Sequence, residues 1–300
     1  MAGRLLHLAR RRGMSLGSRK FLGIRWPRDL VLRVVCYLMM FALVIVTLYP
    51  VYWMVAGSLK SDNEFYTNIW GLPRDPQWGN YVEAWAKAGI NKCFVNSVIV
   101  TVSTVFAVLI ITSLAAYAFA KFDFPAKTGL FYFFLASMMI PSGMMIIPTF
   151  AVVNKLGLVN TRLSMVLVYT AGNVAFGIFL LRAYFVSIPS ELEEAARIDG
   201  CTATGAFFRV ILPLAKPGLA TQLIYSGMNT WNEYFVGSIL VRTRDLRTLP
   251  LGLVGFVEKY ETHYPQYFAA LCIITVPIIV LYVLGQKQFI SGLTAGAVKG

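Results

Sequence analysis

Residues 93–120 read CFVNSVIVTVSTVFAVLIITSLAAYAFA, 28 consecutive positions without a charged side chain. A helix needs about 20 apolar residues to cross the hydrocarbon core of a bilayer, so this run is long enough to span one. Five further stretches give candidate spans of similar length: 32–58, 128–153, 164–186, 216–241 and 267–290. Strands of a membrane barrel would be half as long and would alternate apolar with polar residues, which these runs do not. The expected fold is therefore an all-α integral membrane protein with six transmembrane helices.

Composition agrees. Of 300 residues, 57% are hydrophobic and 14% charged, against roughly 25% charged in a soluble domain. Water is thereby excluded as the main solvent, and the apolar content and four scattered cysteines exclude disorder and a disulfide scaffold. The net charge of +13 would suggest nucleic acid in a soluble protein. In a membrane protein it encodes orientation. Residues 1–33 hold nine Lys or Arg and one acid, Asp29, a net +8. This predicts a cytoplasmic basic tail over 1–31, a helical body over 32–290 and, after six crossings, a cytoplasmic tail over 291–300. A cleaved signal peptide would have a core of only about 7–15 residues, and nucleic-acid binding by Arg10, Arg11 and Arg12 would explain nothing that topology leaves open. Arg242, Arg244 and Arg247 fall on the outer side as a mild exception. In the large outer loop, 59–92, Trp70, Trp78 and Trp85 read as an interfacial belt or as a partner contact.

The segment between the fourth and fifth spans, 187–213, contains IPSELEEAARIDGCTATGAFFRVILP over 188–213. It reads as helix, turn, helix. Ser190 with Glu193 spells a capping box, and Glu191, Glu193 and Glu194 suit the positive end of a helix dipole. Ala195 and Ala196 leave a low surface that lets another backbone approach. Gly200 provides a left-handed stop, and an apolar second segment, 203–212, is expected to end at Pro213. The region around this loop balances four basic against four acidic residues, which suits a protein groove better than lipid headgroups.

Glu194, Ala195 and Ala196, Gly200 after three residues, Val210 after nine more, then Leu212 and Pro213, resemble the EAA motif of the membrane subunits of bacterial ATP-binding cassette importers. Val210 replaces the usual Ile and Cys201 the more frequent Ala. Asp199, the 231–233 and 248–252 segments and the 292–300 ending are similar to the carbohydrate branch, in particular G-type maltose permease subunits. The resemblance covers roughly 30–300. It implies a coupling helix bearing Glu194, Ala195, Ala196, Asp199 and Gly200 that docks on a separate ATPase, with the last residues of the tail reaching the same partner. It also implies a homologous sister permease subunit, two ATPase subunits holding the ATP and magnesium, an extracytoplasmic solute-binding protein, and a sugar as cargo, all at a bacterial cytoplasmic membrane.

Chemistry within the chain is sparse. No Gly-Lys dipeptide occurs, so no phosphate-cradling loop can form, and the hydrolase-like pattern at 13–17 lies in a basic tail without the strand and helix it needs. His7 and His263 fall on opposite sides of the membrane, excluding a histidine triad or metal site. Cys36, Cys93, Cys201 and Cys272 lack ligand spacing and read as small hydrophobes. Neither a catalytic nor a metal site is expected.

Polar residues inside spans are costly unless they face a cavity or a partner. Gln222, Ser226, Asn229 and Glu233 share one face of the fifth span, with Thr170 and Asn173 of the fourth able to meet them. They line a cavity or glue helices together. Trp231, Asn229, Asn232, Glu233 and Tyr234 supply the amide, carboxylate and ring chemistry that binds a sugar. Pro141, Gly143 and Pro148 should break the third span and Pro277 the sixth, as hinges or as ordinary membrane prolines. A polyamine or other small-solute permease, a secondary carrier and a membrane hydrolase are the competing readings.

Overall fold

The computed structural model describes residues 28–87, 89–259 and 263–297. The basic tail through residue 27, with His7 and the 13–17 pattern, lies outside the described residues, as do 298–300. Among the described residues every regular element is helical.

Two compact units divide the chain at residues 52 and 53. The described part of the first belongs to helix α1 (Arg28–Ser58), which runs through Pro50 without ending. Side chains from Leu32 to Tyr52 are all exposed within this unit, as expected of an apolar helix suited to a bilayer.

The second unit is built along α4 (Ile90–Lys121), preceded by the short helices α2 (Asp62–Thr67) and α3 (Gly79–Val82) of the outer loop. Gly89, at φ +79°, turns the chain into α4, a conformation only glycine adopts freely. At 1.5 Å per residue its 32 residues reach about 48 Å, more than a bilayer core. Three buried clusters share it. Cys93 packs with Trp231, Leu249, Ala269, Ala270 and Ile274. Val100 packs with Met165, Tyr169, Leu240 and Leu251. Ala116 and Tyr117 pack with Leu181, Phe185, Phe207 and Ile211. Cys93 and Cys272 are buried as expected of small hydrophobes, whereas Cys36 is exposed.

Among the described residues, four helices are long and apolar enough to cross a membrane, or five if one bent pair is a single span. The second and fourth candidates correspond to α4 and α7 (Arg162–Ser187), the latter started by the Thr161 hydroxyl accepting from Ser164 N–H at 3.2 Å. The third expected span is not straight. It divides into α5 (Lys127–Ser137) and α6 (Ile146–Lys155), bent by 97°. Pro141 sits in the break. Pro148 does not break anything, because it falls in the first turn of α6, where its missing N–H is not needed.

The fifth expected span, 216–241, is likewise not continuous. Helix α11 (Lys216–Trp231) stops, and α12 (Phe235–Leu240) restarts after three residues. No glycine or proline explains this. The Glu233 carboxylate accepts from Val236 and Gly237 N–H at 2.7 and 2.9 Å, so a side chain competes with the helical ladder and caps a new helix. The chain then continues through α13 (Leu249–Lys259) to the sixth candidate, α14 (Tyr264–Ala297), which passes through Pro277 unbroken and extends beyond residue 290 into the expected tail.

In lipid, helices associate by packing rather than by a hydrophobic drive, so small residues mark the crossings. Gly177 of α7 is the tightest point of the central crossing. A Cβ there would lie 2.5 Å from Thr112 Cγ2 and 2.8 Å from Gln222 Nε2. Gly177→Val should therefore cost about 1–3 kcal/mol by overpacking and lower the melting temperature in detergent by several degrees. Gly172→Ala, where an added Cβ meets nothing within 4 Å, should leave the melt unchanged.

Candidate functional site

At one end of the bundle, Pro189 holds Ile188 extended, with ψ 123°, as the residue before a proline prefers. Helix α8 (Glu191–Ile198) follows. The expected capping box does not form. Ser190 is itself helical in backbone conformation, and its carbonyl, not its hydroxyl, accepts from Glu193 and Glu194 N–H at 3.0 Å each. Glu193 turns inward instead, 7% exposed, and accepts from Arg197 at 2.7 Å. The stop is as expected. Gly200 has φ +86°, its N–H donates to the Arg197 carbonyl at 3.0 Å, and Cys201 N–H donates to the Ala196 carbonyl at 2.9 Å. These two bonds close a Schellman turn. Ala196 is buried, while Glu194, Ala195, Asp199 and Gly200 are exposed.

The second segment does not end at Pro213. It starts as α9 (Ala203–Ala206), capped by the Thr202 hydroxyl, and widens into a π turn over Phe207–Ile211. It then resumes as α10 (Leu212–Leu214), immediately before α11. A proline denies its N–H to the preceding turn, and the wider turn accommodates that loss. Leu212 is half-buried against the aromatic cluster and Pro213 is exposed.

Two residues that pattern reading missed hold this end. Lys121, the last residue of α4, donates to the Ile188 carbonyl at 2.7 Å and lies 3.4 Å from Ser190 Oγ. Tyr117, one turn earlier, is buried with its ring 4.7 Å from Phe207 and 5.9 Å from Phe185. Nearby, Arg182 within α7 donates to the Phe119 carbonyl at 3.4 Å and covers the Phe131 ring at 4.3 Å. The only sequence signal was a basic residue at the edge of an apolar run, which the topology rule had already absorbed.

Further along α4, α7 and α11 enclose a polar seam. Gln222 and Ser226 are fully buried, with Thr104 and Thr112 of α4 and Thr170 and Asn173 of α7. Asn229 donates to Asn173 Oδ1 at 3.4 Å, and Asn173 donates to the Tyr169 carbonyl at 2.8 Å. Both amide atoms of Gln222, Thr104 Oγ1 and Thr170 Oγ1 have no partner among the described residues. Asn229 itself is exposed, so the expected single face divides into a buried lower part and an accessible upper part.

Trp231 is buried. It is 4% exposed, packs edge-on against Phe94 and donates to the Ile274 carbonyl at 3.3 Å, so its ring is committed to the core. Asn232 is exposed and donates to the Met228 carbonyl at 2.9 Å, and Glu233 is committed to capping α12. In the outer loop, Lys60 is buried, donating to the Asn68 and Ile69 carbonyls. That burial lowers its pKa against the opposing pull of Glu64. The Glu64 carboxyl is held below its usual range by the Arg74 backbone N–H and by Asn68. Trp70 and Trp78 stay exposed. Among the described residues no group of three or more His, Cys, Asp or Glu could hold a metal.

Apolar helices, broken spans, a buried polar seam and a short helix closed by a Schellman turn at the bundle end fit a membrane transport component. The chain belongs to the family of inner membrane components of binding-protein-dependent transport systems, which matches residues 109–293. It is 38% identical over 264 residues to the probable ABC transporter permease protein YurM of Bacillus subtilis, covering 88% of each chain. Identity to the diacetylchitobiose uptake system permease protein NgcG of Streptomyces coelicolor is 33%, over 84% of each chain. Identity to the arabinooligosaccharides transport system permease protein AraQ of Halalkalibacterium halodurans is 34%, over 85% of this chain and 92% of the relative. A solved bacterial ABC transporter involved in the import of the acidic polysaccharide alginate superposes with a TM-score of 0.80 at 26% identity. That match covers 89% of this chain and 100% of the other.

Replacing Glu233 by Ala removes the cap of α12. Such caps contribute about 0.5–2 kcal/mol. Hydrogen exchange at the Val236 and Gly237 amides should accelerate roughly 2- to 30-fold, with exchange within α7 unchanged.

Proposed function

We propose that this chain is the permease subunit of an ATP-driven importer that carries a sugar or oligosaccharide delivered by an extracytoplasmic binding protein. The observation that carries this reading is its likeness, over more than four-fifths of its length, to permeases named for diacetylchitobiose and arabinooligosaccharide transport. It pairs with a homologous sister subunit, and two ATPase subunits supply ATP and magnesium. Six spans place both termini in the cytoplasm of a bacterial cell, the bent α5–α6 pair and the α11–α12 pair each counting as one. The positive-inside rule supports that orientation through the +8 of residues 1–33.

The coupling element is α8 with its turn. Glu194, Ala195, Asp199 and Gly200 face outward to the ATPase, Ala196 seats the helix on the bundle, and Leu212 and Pro213 join it to α11. The pathway is the seam. Buried polar atoms without partners are expensive in a low-dielectric interior, so Gln222 and its neighbours favour a second arrangement in which the seam opens to a polar cargo. Ser226, Asn173 and Asn229 belong to that wall, and Asn232 and Glu233 stand at its outer rim. Trp231 acts behind it, as packing.

Uptake of labelled oligosaccharides into vesicles holding the full complex identifies the sugar and tests the reading. Glu194→Lys and Gly200→Asp should reduce ATPase co-purification and lower uptake at least about tenfold. Normal co-purification together with normal uptake overturns the docking assignment. Asn229→Ala should weaken uptake with the ATPase still bound, and unchanged uptake in both Asn229→Ala and Gln222→Leu removes the seam from the pathway.

A further inference from the structure

The structure assigns Lys121 a positioning role: its ammonium links α8 to α4, so that displacement of the docking helix is carried directly into a wall of the polar seam. This rests on the reading of α8 as the docking helix.

The covalent routes from α8 into the bundle lead through Ile188–Ser190 to α7 and through the Gly200 turn and the second segment to α11, and neither reaches α4. Ile188 is extended, and its carbonyl, past the end of α7, has no helical donor. Lys121 Nζ supplies one at 2.7 Å, with Ser190 Oγ at 3.4 Å. Lys121 is also the last residue of α4. One ammonium thus stands at the negative ends of two helix dipoles, α4 and α7, where a cation is favoured most. A neutral donor of the same length would lack both attractions.

Tyr117 reinforces the link from the same helix. Buried beside the Glu193 carboxylate, its ring contacts Phe207 and Phe185, so α8, the second segment and α7 all meet α4 at this point. Thr112 lies nine residues before Lys121, about 14 Å along α4, at the crossing with Gly177 and Gln222. A shift at Ile188 therefore reaches α4 within one rigid helix of the seam.

The test uses the assembled complex in lipid nanodiscs and compares ATPase rate with and without the binding protein saturated with the sugar found by the uptake assay. Lys121→Met keeps the length and apolar stem but removes the charge. The stimulation ratio should fall about fivefold or more while the ATPase remains in the complex at its normal ratio, and Lys121→Arg should restore most of it. An unchanged ratio in Lys121→Met, including a parallel fall of both rates, overturns the proposal, because a merely structural role lowers both alike. Should Lys121→Met fail to assemble, Lys121→Gln against Lys121→Arg decides: a low ratio for Gln and a near-normal one for Arg supports the link, and equal ratios overturn it. Gly200→Asp separates the underlying reading. If that variant keeps ATPase and uptake, α8 is not the docking helix, whatever Lys121 does.

Discussion

Inside lipid a helix gains nothing by hiding apolar side chains from its surroundings, so association has to come from close packing and from polar groups finding one another. The crossing of α4, α7 and α11 meets that constraint by deleting a side chain. Gly177 lets Thr112 and the Gln222 amide occupy the space where a Cβ would stand. Similar approaches recur at Gly218 under the Tyr184 ring and at Gly285 against Ile224. Because α4 contributes to all three buried clusters, whatever moves α4 moves the whole core, and whatever loosens the Gly177 crossing opens the seam beside it.

Polar groups in this chain are paired unevenly. At the end opposite α8 a dense network forms, although Thr248 Oγ1 has no partner among the described residues. Asn96 donates to the Asp245 and Arg247 carbonyls and accepts from Arg162. Ser97 accepts from Leu249 N–H, and Asn160 holds Arg242, Thr243 and Leu240 together. The 59–92 loop forms similar bonds around Lys60, Glu64 and Asn80. Satisfied networks rigidify. The seam holds the amide of Gln222 and the hydroxyls of Thr104 and Thr170, which have no partner among the described residues. Unpaired polar groups leave a buried region less rigid than a completed network.

Period and length made the long helices legible, since an uncharged run of 28 residues has few alternatives in any solvent. The turn at Gly200 was legible for the same kind of reason: few residues other than glycine take φ +86° without strain. What escaped was decided by side chains acting across the fold. The break after Trp231 depends on a carboxylate reaching the next two amides, and nothing in the local pattern separates such a Glu from a solvated one. Ser190 and Glu193 spell a capping box, yet Arg197, one turn on, offers Glu193 a charged partner and wins. Trp231 looked like a platform for a sugar ring because its chemistry fits, but burial was settled by Phe94 and Ile274, distant in sequence.

The balanced charge around α8 also conceals an arrangement that composition cannot express. Glu193 and Arg197 pair with each other, and Glu193 is turned inward. Lys121 answers the carbonyl ends of α4 and α7 from outside the segment altogether. With Glu193 turned inward, the exposed face of α8 and its turn carries three acids, Glu191, Glu194 and Asp199, to the one base Arg197, beside Leu192 and Ile198. A loop that is neutral by count is thus acidic and apolar on the side that a partner would meet. The contact that ties the start of α8 to α4 comes from Lys121, a base outside the segment.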